Sequence, residues 1–435
     1  MRLHNRISWR RLQPQEGAPI DWSVLQKFET DLLYLKSLNI QPEVVIYDFP
    51  RWATSRPVNC SAIREDKFDA FRDFVHQVVA RYSAPEFNVH NWEIGNEVDV
   101  DPIVFYDPNK GEYEDRPYGC WGDETDYYYG GLEYGNMIKA VAPAIKAADP
   151  HAKIWNGGLL LALPLSKPSP NQAGRQELFL KGILKAGAGP YLDVIAYHGH
   201  AYNYRYQVMD SDILEKSAWV PWGGAYRGKG RFLSELMAQY NLEKPLVINE
   251  MGYGCPNSPG DLTYEYFAHC AAPDEHFFNI QAMHLVRVFA RSVGEVSGFA
   301  WYTLNPPGWR WMSLLDTQYN PRPAFNSYKT MINILRGYEP TGPVDYGFGN
   351  LTVCDASTPP KCTSTPVVEA YEFRQARKKW HVVWSFNNET NTLTIPQARF
   401  KQALDLNGNP VQPISNGSDV QLQIGFSPIY IQLNY

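Results

Sequence analysis

No run of about 18 apolar residues occurs in this chain, so nothing in it reads as a transmembrane helix. There is no basic stripe: 40 Lys and Arg stand against 46 Asp and Glu, a net charge of −6, which argues against nucleic acid as a partner. No C-x-x-C and no Cys/His zinc spacing are present. No glycine-rich phosphate fingerprint follows any strand candidate, which speaks against a nucleotide site. Internal repeats and low-complexity tracts are also missing. No leader sequence opens the chain, although the N-terminus itself reads as incomplete. What the chain does have is aromatic residues: 14% of 435, with 13 Trp and 28 Tyr. Such rings serve equally a large core and a cleft in which sugars stack on aromatic faces. Six cysteines remain. Cys60–Cys120, Cys255–Cys270 and Cys354–Cys362 are plausible pairs that favour a secreted or periplasmic location, with six unpaired thiols as the alternative.

Up to about residue 338, strand candidates alternate with helical patterns. The strands are Arg6–Trp9, Glu43–Phe49, Val89–Glu97, Lys153–Leu161, Leu192–His198, Pro245–Glu250 and Gly298–Leu304. Helices are expected over Trp22–Leu38, Lys67–Tyr82 and His276–Val293, where apolar residues recur at steps of three and four. Fully apolar strands between amphipathic helices imply a parallel sheet, and this many units in series favour a (β/α) TIM-type barrel. After Gly337–Pro343 the pattern changes to short strand-like runs: Val367–Phe373, Trp380–Phe386, Thr392–Ile395, Val420–Ile424 and Ile429–Leu433. They predict an antiparallel β-sandwich over 339–435, behind a catalytic barrel over 1–338. An eight-stranded barrel is one strand short here, so its first strand-helix unit has no counterpart.

Two runs carry the chemistry. Trp92-Glu93-Ile94-Gly95-Asn96-Glu97 and Val247-Ile248-Asn249-Glu250 each close an apolar strand with Asn-Glu. A carboxylate at a strand mouth is costly to desolvate, and two of them are what glycosidic bond cleavage requires. Glu93, four residues before Glu97 on the same strand face, lies deeper and reads as structural. His198 and His200 form an H-x-H at a strand end, a spacing that suits a metal or, for His198, a hydrogen bond near the nucleophile. Trp9, Trp52 and Trp301 fall at strand ends as candidate sugar platforms, and Tyr202 could orient the nucleophile. The long segment Asp99–Gly130 is rich in Tyr and acids; it is expected to wall a cleft, with calcium at Asp99, Asp101, Asp107 and Asp115 as a lesser reading.

With these residues in view, the chain resembles the clan A glycoside hydrolases, most closely their family 39 and family 5 branches. Ile7–Gly17 with Asp21-Trp22 resembles the segment after their second strand, and Tyr47–Ala53 the end of the third. The resemblance implies Glu97 as acid/base, Asn96 as the asparagine that binds the substrate 2-hydroxyl, and Glu250 as nucleophile. Ala196-Tyr197-His198 resembles the sixth strand, Trp301 the tryptophan closing the eighth, and Leu315-Asp316 with Arg322-Pro323-Ala324 the tail behind it. Ser427–Ile431 resembles the last strand of the β-domain. The acid/base motif departs from the pattern by reading Gly-Asn-Glu rather than Trp-Asn-Glu, which leaves the sugar open. The expectation is a retaining β-glycosidase working by double displacement on an oligo- or polysaccharide, without cofactor or metal. Two rivals stand beside it: an inactive carbohydrate-binding barrel, and a metal-dependent hydrolase using His198 and His200. Neither nucleic acid nor membrane is expected as a partner. A homo-oligomer is expected to cover the open barrel edge.

Overall fold

The computed structural model describes residues 1–114, 119–161, 173–202, 219–255, 273–306, 308–354, 358–387 and 389–434. By their contacts they form two compact units: Met1–His198 with Phe232–Asn249, and Gly199–Arg231 with Glu250–Tyr435. Strands of three or more residues and helices longer than a single turn are numbered below in chain order.

The first unit is a parallel α/β array. It runs β1 (Arg2–Ser8), α1 (Gln26–Ser37), β2 (Glu43–Tyr47), α2 (Phe68–Ser83), β3 (Asn91–Ile94), α3 (Gly131–Ala148), β4 (Lys153–Asn156), α4 (Phe179–Lys185) and β5 (Ile195–His198). After α5 (Arg227–Ala238) follows β6 (Leu246–Met251), in which the division between units passes from Asn249 to Glu250. Strands β1 to β4 pair in sequence order, all parallel. Bridges Trp155–Val194 and Leu159–Tyr197 add β5. Helices supply the covering faces. On α2 the buried Phe71, Phe74, Val75, Val78, Val79 and Tyr82 form the expected apolar stripe. That helix stops at Ser83 because Ala84 precedes Pro85, whose ring excludes helical backbone from the residue before it.

Register decides where functional groups emerge. Ser8 pairs with Tyr47, Ile46 with Ile94, and Ile94 with Asn156. The C-terminal ends of four strands therefore align, and the residues that follow them rise from one edge. This is where parallel sheets place their sites. The first strand differs from its expected span of Arg6–Trp9. It begins at Arg2 and ends at Ser8, whose hydroxyl accepts the Arg11 amide at 3.1 Å and starts a helical turn at Trp9.

The second unit holds α6 (Glu275–Ser292), β7 (Gly298–Trp301) and α7 (Pro323–Leu335). Asp274 caps α6 by accepting the Phe277 amide at 2.9 Å. The β-domain follows with β8 (Glu339–Pro343), β9 (Asn350–Cys354), β10 (Cys362–Pro366), β11 (Val368–Gln375), β12 (Lys378–Ser385), β13 (Asn391–Pro396), β14 (Phe400–Leu404), β15 (Ile414–Asn416), β16 (Asp419–Ile424) and β17 (Ile429–Leu433). One antiparallel sheet runs β8-β11-β12-β17-β14, another β13-β16-β15, and β9-β10 form a hairpin. Leu393, Ile395, Val420, Leu422 and Ile424 of the smaller sheet share a core with Val368, Val383 and Ile431 of the larger, which makes a sandwich. The outer face of the larger sheet, with Tyr371, Trp380, Val382 and Trp384, packs on Leu285 and Val286 of α6 and Met331 and Leu335 of α7. Arg291 pairs with Glu369 inside this packing, both side chains fully buried. The expected boundary at 338/339 thus lies where α7 gives way to β8, inside the second unit.

Cys60–Cys120 and Cys354–Cys362 are disulfide-bonded. The first spans 60 residues, a loop whose closure stabilises the fold by about 4 kcal/mol in the chain-entropy account. For the third expected pair, Cys270 lies outside the described residues. Among the described residues no helix is long and apolar enough to cross a membrane.

Candidate active site

In the first unit the chain leaves β3 through Gly95-Asn96-Glu97. Gly95 takes φ 84, and a Cβ there would come within 2.5 Å of Val98 Cγ1, so only glycine fits. Glu97 itself sits at φ 50, a left-handed conformation that costs a non-glycine residue about 1–3 kcal/mol. Its amide donates to Gly158 O at 3.1 Å. Its carboxylate Oε1 lies 3.1 Å from Nδ1 of the fully buried His198, and its side chain keeps 21% of its surface exposed. Asn96 is buried, and its Oδ1 accepts from Arg2 Nη2 at 2.5 Å. That leaves the Asn96 amide group as the end able to donate to a substrate hydroxyl.

Under this turn lies an ion-pair network. Arg2 donates to Glu93 through Nε at 2.7 Å and Nη2 at 2.9 Å, and Gly158 N donates to Glu93 Oε1 at 2.9 Å. Burial would push the Glu93 carboxyl up. The Arg2 charge and hydrogen bonds outweigh it and hold the group below its ordinary value. Glu43 goes the other way. Burial first, then the Glu93 charge, raise it well above the carboxylate range, against the pull of Arg2 and of Asn249 Nδ2, which donates to it at 3.1 Å. Glu93 is therefore committed to structure, as its depth on the strand implied.

Asp99, two residues beyond Glu97, is fully buried and accepts the amides of Leu160 at 2.7 Å and Leu161 at 2.8 Å. Burial raises its pKa to about 6, against those two hydrogen bonds. Asp101 accepts the amides of Ile103 and Glu124 at 2.8 Å each, and Asp107 that of Asn109 at 2.9 Å. The acids weighed as calcium ligands are thus turn and loop anchors; Asp115 lies outside the described residues. The Cys60–Cys120 disulfide ties this long segment to the loop after β2.

In the second unit Glu250 is nearly buried, with Oε1 3.0 Å from His200 Nε2. The His200 ring meets Tyr302 and Trp309 edge-on, at centroid distances of 6.0 and 5.9 Å. Trp301 is half-buried, and its indole N–H donates to Met312 O at 2.9 Å.

The expected residues fare differently. The histidine beside the nucleophile candidate is His200, while His198 partners Glu97. Trp9 is fully enclosed by Trp52, Phe71 and Phe74, with its N–H on Gln13 Oε1, and so has no face to offer a sugar. The reason is the cap at Ser8, which turns the chain inward one residue earlier than expected. Trp52 is half-buried and donates to Gln13 O at 3.3 Å. The side chain of Tyr202 lies outside the described residues. Sequence reasoning missed Tyr302, Trp309 and the role of Asp99. Only the Trp309-Arg310-Trp311 run offered a visible signal.

No family model matches this sequence. No curated protein matches it either. Solved structures do. A family 39 glycoside hydrolase from Bacteroides cellulosilyticus WH2 superposes over 100% of this chain and 74% of its own, with a TM-score of 0.62 at 15% identity. A GH30 endoxylanase from Clostridium papyrosolvens C71 covers 100% of this chain and 88% of its own, with a TM-score of 0.55 at 13% identity. The chain has the fold of clan A glycoside hydrolases. A family 51 α-L-arabinofuranosidase from Bifidobacterium longum shares it as well, at a TM-score of 0.54 and 13% identity over 93% of this chain and 78% of its own.

Proposed function

We propose that the protein is a retaining glycoside hydrolase with a carbohydrate substrate, built as a (β/α) barrel and a β-sandwich. One observation carries the reading: in a fold shared with glycoside hydrolases, each Asn-Glu glutamate stands at a strand end against a buried histidine. Glu97 donates a proton to the glycosidic oxygen. Glu250 attacks the anomeric carbon as the C–O bond breaks. In the second step Glu97 takes a proton from water, which displaces Glu250 with net retention. His198 can donate to the ionised Glu97 or accept from the protonated one, which suits a group that alternates. In the tautomer with its proton on Nε2, His200 donates to the Glu250 carboxylate at 3.0 Å. Asn96 offers its amide to the sugar, with Trp52 and Trp301 as candidate stacking surfaces. Neither step as written calls for a metal or cofactor. The two disulfides fit a secreted or periplasmic protein.

A panel of nitrophenyl and 2-deoxy-2-fluoro glycosides tests this, with β-xylosides and α-L-arabinofuranosides included because of the neighbours above. The expected result is turnover of one glycone, indifference to chelator, and a covalent label on the peptide containing Glu250. Binding without turnover would instead support the inactive lectin-like reading, and loss of activity in chelator the metal hydrolase.

A second copy of this chain is the proposed partner. Strand β1 forms the edge of its sheet. On α1, Glu29 reaches Arg81 and Tyr82 of α2, while Tyr34, and Leu38 just past the helix end, are 63% and 51% exposed. A terminal strand together with exposed apolar side chains invites a partner. Light scattering at micromolar concentration should show a dimer; a monomer would remove the proposal.

A further inference from the structure

Asp99 has no part in bond making, yet its burial and bonding single it out. Its carboxylate holds two successive amides, Leu160 N and Leu161 N, and Leu161 is itself left-handed at φ 46. The same short segment accepts from both proposed acid/base partners. Gly158 O receives the amide of Glu97 at 3.1 Å, and Leu159 O that of His198 at 2.8 Å. Gly158 N in turn donates to Glu93. Gln176 Nε2 completes the arrangement by donating to Asp99 O at 3.0 Å. The segment from Gly158 to Leu161 is thus a bracket on which Glu97 and His198 are both hung, and Asp99 is the side chain that clamps its far end.

Resting on the function proposed above, we infer that Asp99 is a positioning residue for the acid/base: it fixes the bracket that keeps Glu97 in its strained conformation against His198. Two features fit a functional rather than a stabilising part. A fully buried carboxylate held by two backbone amides is an expensive way to hold a loop, and burial raises its pKa to about 6. It also sits next to a left-handed glutamate that relaxes if nothing restrains it.

Displacing a proton donor hurts most where the leaving group needs protonation. Asp99→Asn retains one acceptor oxygen for two amides and no charge; Asp99→Ala retains none. The test is kcat/KM, which reports the first step, on aryl glycosides of the accepted sugar with leaving groups from dinitrophenol to phenol. For Asp99→Asn the loss should be on the order of 10- to 100-fold on the phenyl glycoside and within about threefold on the dinitrophenyl glycoside. Asp99→Ala should show the same trend with a steeper slope. Hydrogen exchange of residues 158–161 should quicken in both variants, a readout independent of catalysis. An equal loss across leaving groups, no loss, or unchanged exchange would each overturn the inference while leaving the proposed function standing. A wild-type protein that turns over no glycoside would overturn the function, and this inference with it.

Discussion

Glu250→Gln should abolish turnover on every glycoside the protein accepts. The amide cannot attack the anomeric carbon, and replacing one oxygen by NH2 removes little volume from a nearly buried position. Glu97→Ala should behave differently. Without the acid the first step fails for natural leaving groups but proceeds for dinitrophenolate, which departs unassisted. The second step then lacks its base, so a covalent intermediate should accumulate as a burst. Azide, which needs no base, should restore turnover and yield a glycosyl azide of retained configuration. Steady-state and stopped-flow kinetics on dinitrophenyl and natural substrates check both variants. Full activity of either on a natural glycoside would refute the assignment of roles.

The second large effect concerns stability. Arg2→Met should cost about 3–5 kcal/mol, since it leaves the fully buried Glu93 without its cation. The pH dependence should change with it. In the wild type the Glu93 carboxyl is held below its ordinary value, so its contribution is present above the unfolded pKa and is lost as pH falls through the folded one. Without Arg2, burial dominates and the folded pKa rises above the unfolded one. The variant should then be most stable in acid and lose stability as pH increases toward neutrality. Adding Glu93→Leu should recover most of the loss, because removing both partners of a buried pair costs far less than removing one. Urea melts of the two single variants and the double variant, at pH 5 and pH 8, give the coupling directly. Additive effects would show that the pair is not the source.

The parts of the fold set by local chemistry were readable in advance. Most parallel strands were visible as apolar runs because burial on both faces selects for them, as in Glu43–Tyr47, where all five residues are enclosed; the polar start of β1 was not. Strands of the sandwich with an apolar face, such as Val368–Gln375, were equally clear. Those missed are polar or proline-bearing edge pieces. Glu339–Pro343 carries Pro at two of its five positions and is mostly exposed. The site divides along the same line. Glu97 and Glu250 announce themselves, since a carboxylate ending an apolar strand conflicts with its surroundings. Asp99 does not, because what gives it meaning is a pair of amides from a distant part of the chain. Trp9 was misread because a one-residue shift in the end of β1 turned a strand-end side chain into a core one.

Gly158 constrains how this protein could change. A Cβ there would collide with His198 Nε2 and come within 2.7 Å of Asn249 Oδ1. Its neighbour Gly157 is as tightly enclosed, with Ile94 O at 2.6 Å. No single substitution at either position is accommodated without displacing a group in the floor of the proposed site. Change is therefore channelled to the loops around the rim, where side chains can be exchanged one at a time. The floor can be rebuilt only by several coordinated replacements, so it should be the slowest part of the molecule to drift.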